Sequence, residues 1–186
     1  IIEGKAKRTL ANRSMAEAVT YSFLSSQHAL LFGGGKDELK LMNPISSDLD
    51  EMRPSIIPNL ISSALKNSNM GNSDIAIFEV GPQYADASAE GQQVVAAGIR
   101  TGQTAARHWS TVSRSVDVFD VKGDVVALLE VLGVPVANLQ TSVDAPYWYH
   151  PGRSGALRLG PNVFAYFGEI HPTVLRAMNV DYPIMA

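Results

Sequence analysis

Strand-like segments outnumber helical segments in this chain, and several of them follow one another with no helix between them. Runs of β-branched and aromatic residues predict strands over residues 19–24, 38–42, 74–80, 93–100, 139–143, 156–159 and 163–170. The last two are joined by residues 160–162 (GPN), a turn by composition. Successive strands of this kind favour an antiparallel sheet.

Two amphipathic segments are the clearest helices. Residues 56–67 repeat apolar side chains at helical spacing, with Ser55 in the N-cap position and Pro58 in the first turn. Residues 120–132 form the second, which Gly133 ends. Further helices are predicted over residues 5–18, 27–32 and 172–178. The predicted fold class is therefore α+β, a mostly antiparallel sheet flanked by helices, in a single domain over residues 1–186.

The bulk composition narrows the function classes. A net charge of −3 gives no support for an autonomous nucleic-acid-binding domain, although Lys5, Lys7, Arg8 and Arg13 form either a local anion patch or a solvated helix face. The absence of cysteine removes disulfides and thiolate chemistry and fits a reducing, cytoplasmic compartment. No apolar run approaches the ~20 residues that span a bilayer. Because the sequence starts at Ile1 in mid-pattern, we expect a piece of a longer protein.

Three familiar motifs are incomplete in this sequence. Residues 33–36 (GGGK) resemble a phosphate-binding loop, but Leu30 stands where the first glycine is needed and Asp37 would repel phosphate. Residues 152–155 (GRSG) lack the glycine spacing of a nucleophile elbow. The four histidines are scattered without an i, i+4 pair, so no zinc site is expected.

Four segments, in order, resemble the β-subunit family of bacterial phenylalanine–tRNA ligases. They are residues 17–23 (EAVTYSF), 41–46 (LMNPIS) with 52–60 (MRPSIIPNL), 77–81 (IFEVG) with 119–123 (FDVKG), and 150–154 (HPGRS) with 167–172 (FGEIHP). Their order and spacing extend the resemblance over most of the chain, from residue 8 to residue 180.

The resemblance implies a module with the fold of class II aminoacyl-tRNA synthetases, an antiparallel sheet flanked by helices. It also implies a partner, the smaller α-subunit, which has the same fold and carries the active site. Two copies of each subunit would form a heterotetramer that uses ATP and magnesium to attach phenylalanine to its tRNA. Contact of this module with tRNA is a further expectation of the assembly.

Adenylation by that fold needs cations on the ATP phosphates, usually two arginines and bound magnesium. Between Arg53 and Arg100 the sequence contains no arginine, and none follows Arg176. The strand around Glu79 therefore lacks a phosphate-binding arginine, and Glu79 itself is either a hydrogen-bonding anchor or the relic of a substrate ligand. We expect no catalytic, cofactor-binding or metal-binding residue here, and interpret the chain as a structural module that supports the α-subunit. The alternatives are a degenerate adenylate-forming enzyme and an accessory tRNA-binding module.

Two groups of residues are candidates for contacts with partners. The first serves either a subunit interface or this chain's own structure, and consists of Arg53, Ile56, Ile57, Leu60 and Ile61. The second lies in a predicted loop, residues 147–153 (YWYHPGR), and consists of Trp148, His150 and Arg153. These side chains could stack on a base or hold an anion, or the loop could be a rigid support of the sheet edge. Residues 107–109 (RHW) also combine an arginine, a histidine and an aromatic residue, and are a weaker candidate for the same contacts.

Overall fold

The computed structural model describes residues 1–106, 108–110 and 112–186. Its helices are α1 (Ile2–Asn12), α2 (Ser26–Leu31), α3 (Ile57–Asn69), α4 (Val118–Val131) and α5 (Pro172–Ala177). Its strands are β1 (Ala16–Glu17), β2 (Phe23–Leu24), β3 (Glu51–Met52), β4 (Ile75–Tyr84), β5 (Gln92–Thr101), β6 (Gln140–Ser142), β7 (Tyr149–Leu159) and β8 (Asn162–Ile170). None of the helices in these ranges is long and apolar enough to cross a membrane.

The strands form two three-stranded sheets and one small pair. β4 and β5 make a long antiparallel hairpin, and β1 adds to β4 in parallel. β6, β7 and β8 form the second sheet, which is antiparallel throughout. β2 and β3 pair separately. The predicted α+β class with mainly antiparallel pairing is confirmed.

The segment of residues 184–186 joins the two larger sheets. Met185 exchanges two backbone hydrogen bonds with Arg100 of β5, with N···O distances of 2.8 and 2.9 Å. On the other side, Ala186 exchanges two bonds of 2.8 Å with Gly168 of β8. Met185 is antiparallel to both strands. The segment therefore acts as a short strand that connects β5 to β8.

The main hydrophobic core lies between this joined sheet and helices α3 and α5. Leu60 and Ile61 of α3 are fully buried there with Ile99 of β5 and Ile170 of β8. A second cluster packs α4 against β7 and β8, through Val121, Leu157 and Phe167 among others, and Met185 belongs to it. The two faces of the sheet are thus covered by different helices.

Several sequence predictions are wrong at the ends of elements. The first helix ends at Asn12 instead of continuing to residue 18, because Ser14 adopts a left-handed backbone (φ 61°) that turns the chain into β1. Of residues 19–24, only Phe23–Leu24 form a strand. Residues 38–42 are not a strand, and Asp37–Leu39 form a 3₁₀ turn instead.

The predicted loop at residues 147–153 is also corrected. Tyr149–Leu159 form one strand, β7, whose pairing with β8 is irregular between Tyr149 and Ser154. The Pro151 and Gly152 positions favoured a loop because both residues weaken strands. The irregular register accommodates them without ending the strand.

Candidate functional site

A cleft of about 640 Å³ lies between β5 and β8. Its walls are residues 94–98 of β5 and 163–166 of β8, and Ala186 lies at one end. Side chains of α1 and α4 border it on one face of the sheet, and residues near 54–57 and 146–149 border it on the other. The cleft thus lies at the centre of the joined sheet, between its two three-stranded parts.

The lining of the cleft is nearly uncharged. Among the described residues that line it, Asp124 is the one charged side chain, and none is lysine or arginine. Tyr149 also lines the cleft, and burial raises the pKa of its phenol above the ordinary value. Burial therefore keeps this phenol neutral to a higher pH than an exposed tyrosine.

Asp124 of α4 is neutralised by two arginines of this chain. It is 5% exposed. Arg100 of β5 donates from Nε to Oδ2 at 2.6 Å and from its Nη2 to Oδ1 at 3.1 Å, and the Nε of Arg13 also donates to Oδ1. Arg100 further donates to the carbonyl of Arg13 at 2.7 Å. The guanidinium groups of Arg13 and Arg100 are therefore both bound to this carboxylate.

Four other arginines of the described chain are also paired with carboxylates. Their partners, with the shortest N···O distance, are Glu79 for Arg53 (2.8 Å), Asp120 for Arg114 (2.7 Å), Glu169 for Arg153 (2.7 Å) and Asp144 for Arg158 (3.0 Å). The salt bridges among the described residues do not include Arg8 or Arg176, neither of which lines the cleft. Arg107 lies outside the described residues. The four paired arginines do not form a cluster of unpaired cations at the cleft.

Arg53 and Glu79 form the most buried of these pairs, at 1% and 6% side-chain exposure. Arg53 also donates to the carbonyl of Pro82 at 2.7 Å and to the Thr20 hydroxyl at 2.9 Å. The second carboxylate oxygen of Glu79 accepts from the same hydroxyl at 2.6 Å. A side chain at Gly81 would lie 2.9 Å from the guanidinium, so glycine permits the close approach. The interpretation of Glu79 as a hydrogen-bonding anchor is confirmed.

In the first candidate group, four of the five side chains contribute to this chain's own structure, one of the two alternatives that the sequence left open. Arg53, Ile56, Leu60 and Ile61 are each 0–1% exposed and lie in the interior of this chain. A side chain that is already enclosed cannot also meet a partner's surface. Ile57 is half-buried and borders the cleft, so it alone in the group retains an accessible surface.

The second candidate group is held within the chain. Trp148 packs on Phe32 with ring centroids 5.7 Å apart, and His150 accepts a hydrogen bond from the Gly152 amide at 3.1 Å. Arg153 is 54% exposed but makes a two-pronged pair with Glu169, at 2.7 and 3.1 Å. Contact of these residues with RNA or an anion stays a prediction.

No cluster of three or more histidine and acidic side chains in the described ranges has the geometry to hold a metal ion. The nearest approach of two histidines is the stacked pair His150 and His171, whose ring centroids are 6.1 Å apart. Each of the two rings accepts a backbone hydrogen bond at Nδ1, from Gly152 and Thr173 respectively.

The comparisons with known proteins agree along the whole chain. A family described as "Phenylalanyl tRNA synthetase beta chain CLM domain" matches residues 2–186. A relative from Rhodospirillum rubrum, named phenylalanine–tRNA ligase beta subunit, is 55% identical over 179 residues, which are 96% of this chain and 22% of the relative. One of the same name from Paramagnetospirillum magneticum is 47% identical over 181 residues, which are 97% of this chain and 23% of that relative. The chain thus spans less than a quarter of the length of these relatives.

Solved structures extend the likeness to the fold. Two structures of pyrrolysyl-tRNA synthetase from Desulfitobacterium hafniense have TM-scores of 0.71 and 0.66, at 13% and 14% identity. Each of the two matches covers 99% of this chain. They cover 61% and 63% of the solved chains, respectively. The fold is that of class II aminoacyl-tRNA synthetases, as the resemblance implied. Given the family match over residues 2–186 and the identity to the curated relatives, this chain belongs to the CLM-domain family of phenylalanyl-tRNA synthetase β chains.

Proposed function

We propose that this chain is a non-catalytic, synthetase-shaped module of a phenylalanine–tRNA ligase β-subunit. It supports a catalytic α-subunit in the ATP-dependent attachment of phenylalanine to tRNA. The observation that carries the proposal is the cleft itself, because the described residues that line it include no cation and one neutralised carboxylate, Asp124.

Charge is the reason that this lining matters. Transfer of an adenylyl group develops negative charge on the phosphates, and positive groups at that point stabilise the transition state. Bound magnesium supplies part of this charge when carboxylates and phosphates hold it. Asp124 is already hydrogen-bonded to two arginines. Removing it from them to bind magnesium would leave two partly buried guanidinium groups without a partner.

The proposed setting follows the subunit that the relatives' name describes. The partner of the module is an α-subunit, the assembly is a heterotetramer of two α- and two β-subunits, and the enzyme works in the cytoplasm with ATP and magnesium. In this setting the module contributes a folded surface and no reactive group.

Calorimetry of the 186-residue chain tests the chemical part of the proposal. We expect no heat of binding for ATP with magnesium, or for phenylalanine, up to about 1 mM, which corresponds to a binding free energy of about −4 kcal/mol. Pyrophosphate exchange should also be absent. The α-subunit, assayed under the same conditions, is the positive control. Micromolar binding of either ligand to the chain would contradict the proposal.

Co-expression with the α-subunit tests the structural part. We expect the two chains to elute together on sizing, whereas a tRNA titration of the chain alone should show no binding. Binding of tRNA that weakens steeply with salt would instead favour the accessory RNA-binding alternative, because phosphate contacts release counterions. A chain that neither joins the α-subunit nor binds tRNA would contradict the supporting role.

A further inference from the structure

We propose that helix α1 is a strap that opens separately from the rest of the chain, and that Asp124 of α4 is the latch that holds it closed. The proposal is independent of the function proposed above, because it concerns how one helix is attached to the fold. The strap is a conformational device, since its opening would bring apolar side chains that α1 now covers into contact with water.

The apolar contact between α1 and the rest of the chain is small. Of its 11 residues, Ala6 and Leu10 are buried. Leu10 packs with Met15 and Phe78 in a hydrophobic cluster that is separate from the main core and from the α4 cluster. A helix of this length is marginal in water without tertiary packing. Polar contacts therefore carry a large share of the attachment of α1.

These polar contacts join the C-terminal end of α1 to α4 and β5. Arg13, the C-cap residue of α1, donates from Nε to the carboxylate of Asp124. Arg100 of β5 donates to both oxygens of the same carboxylate and, at 2.7 Å, to the carbonyl of Arg13. The last turn of α1 has no basic residue of its own, so Arg100 supplies the cation that favours a helix C-terminus. One carboxylate thus ties α1 to the body of the chain.

The second ion pair of α1 is of a different kind. Lys7 pairs with Glu17 of β1 at 2.7 Å, and both side chains are 38% exposed. A pair of this kind contributes little, because water solvates both charges. Asp124 has a side-chain exposure of 7%, so the loss of a partner there leaves charge that water compensates less. The two pairs therefore allow a matched comparison on one helix.

Ser14 provides the hinge of the strap. Its left-handed backbone (φ 61°) ends α1, and β1 begins two residues later, at Ala16. Rotation about Ser14 would lift Leu10 away from Phe78, which is 1% exposed in the closed form. The open strap would therefore uncover an apolar surface that the latch keeps hidden.

Paired substitutions test the latch. Arg13→Gln removes the contact from α1 and leaves Asp124 its pair with Arg100, so the rest of the fold keeps its contacts. Lys7→Gln removes an exposed cation from the same helix and is the matched control. Asp124→Asn weakens the contacts to both arginines and is the second test variant.

The readout is amide hydrogen exchange by NMR. In Arg13→Gln we expect the amides of Ala6 and Leu10 to exchange about tenfold faster than in the unaltered chain, because a detached α1 unwinds. Asp124→Asn should accelerate them at least as much. In Arg13→Gln the amides of Ile61 and Ala64 in α3 should change by less than about threefold, since the strap opens without the core. Lys7→Gln should change the α1 amides by less than about threefold.

Three results would overturn the proposal, and Arg13→Gln decides the question even if Asp124→Asn does not fold. They are unchanged exchange of the α1 amides in Arg13→Gln, an equal increase in Lys7→Gln, and an equal increase in the amides of α3. The first removes Asp124 as the latch. The second shows that the loss of any cation loosens the helix, and the third makes α1 part of the cooperative core.

Discussion

Arg53 and Glu79 illustrate how a charged residue can be essential to a fold without meeting a substrate. Their pair is enclosed by the chain and completed by Thr20 and the carbonyl of Pro82. A buried pair costs desolvation energy on both sides, so its net contribution to stability is small. The loss of one partner is costly, because the other charge then stays buried without compensation.

We therefore expect Arg53→Met to lower the free energy of unfolding by about 3–5 kcal/mol. The double variant Arg53→Met/Glu79→Leu should lose less than the sum of the two single variants, since no unpaired charge remains. The measurement is urea denaturation. Lys40→Met, in the exposed pair with Asp37 (49% and 94% side-chain exposure), is the control and should lower the free energy of unfolding far less, because water solvates both charges. Equal losses at the two sites would contradict the role of burial.

Among the helices and strands, the sequence predicted best those that are marked by residues close together in the chain. α3, α4, α5 and β8 were predicted within a few residues, because caps, proline positions and apolar spacing mark them, whereas β7 begins seven residues before the predicted strand. Residues 19–22 were wrongly predicted as part of a strand, although their residue types favour one. Val19 and Tyr21 are exposed there, and β propensity reflects packing on a sheet, which this segment does not have.

The N-terminus of α4 shows a local pattern that makes stability depend on pH. Asp117 caps the helix, and Asp120 returns a hydrogen bond to the Asp117 amide. Arg114 donates two hydrogen bonds to Asp120, at 2.7 and 2.8 Å, and holds the pKa of this carboxyl below its ordinary value of 3.8. The charged form is thus favoured in the folded state.

From this direction we expect Asp120→Asn to cost about 1 kcal/mol near pH 7, comparable to the loss of a helix cap. The stabilisation by Asp120 is fully present above pH 3.8 and is lost as the pH falls through the lowered folded pKa. Thermal unfolding of both proteins at several pH values should therefore show curves that converge in acid. The exposed Asp181→Asn is the control. A difference that persists undiminished in strong acid would show that the effect is not electrostatic.

At the scale of the whole molecule, the two sheets depend on the last residues of the chain. Ile184 is fully buried in the main core, and its neighbours connect Arg100 with Gly168. No local sequence pattern indicates this pairing, because the connected residues are far apart in the chain. The same is true of the cleft, where Arg13, Arg100 and Asp124 meet. The sequence predicted that no arginine lies between residues 53 and 100. It could not predict where Arg13 and Arg100 lie in the fold, because tertiary contacts determine their positions.

We expect Ile184→Ala to lower the free energy of unfolding by about 2–5 kcal/mol, through lost burial and the cavity that remains. The measurement is chemical denaturation followed by tryptophan fluorescence. Ile2→Ala is the matched control, since Ile2 is 70% exposed in α1. If both variants unfolded at the same denaturant concentration, the terminal segment would not be part of the cooperative core.

The segment of residues 184–186 also affects the order in which parts of the chain fold. The β4–β5 and β7–β8 hairpins close between neighbouring segments, and hairpins form within about 1–10 μs. The contact between Arg100 and Met185 must close a far longer loop. The entropy cost of closing this loop comes before the new hydrogen bonds stabilise it, so this pairing forms more slowly. During synthesis, β5 therefore keeps one side open until residue 185 has left the ribosome, and in that interval its unpaired backbone is exposed to pairing with other strands.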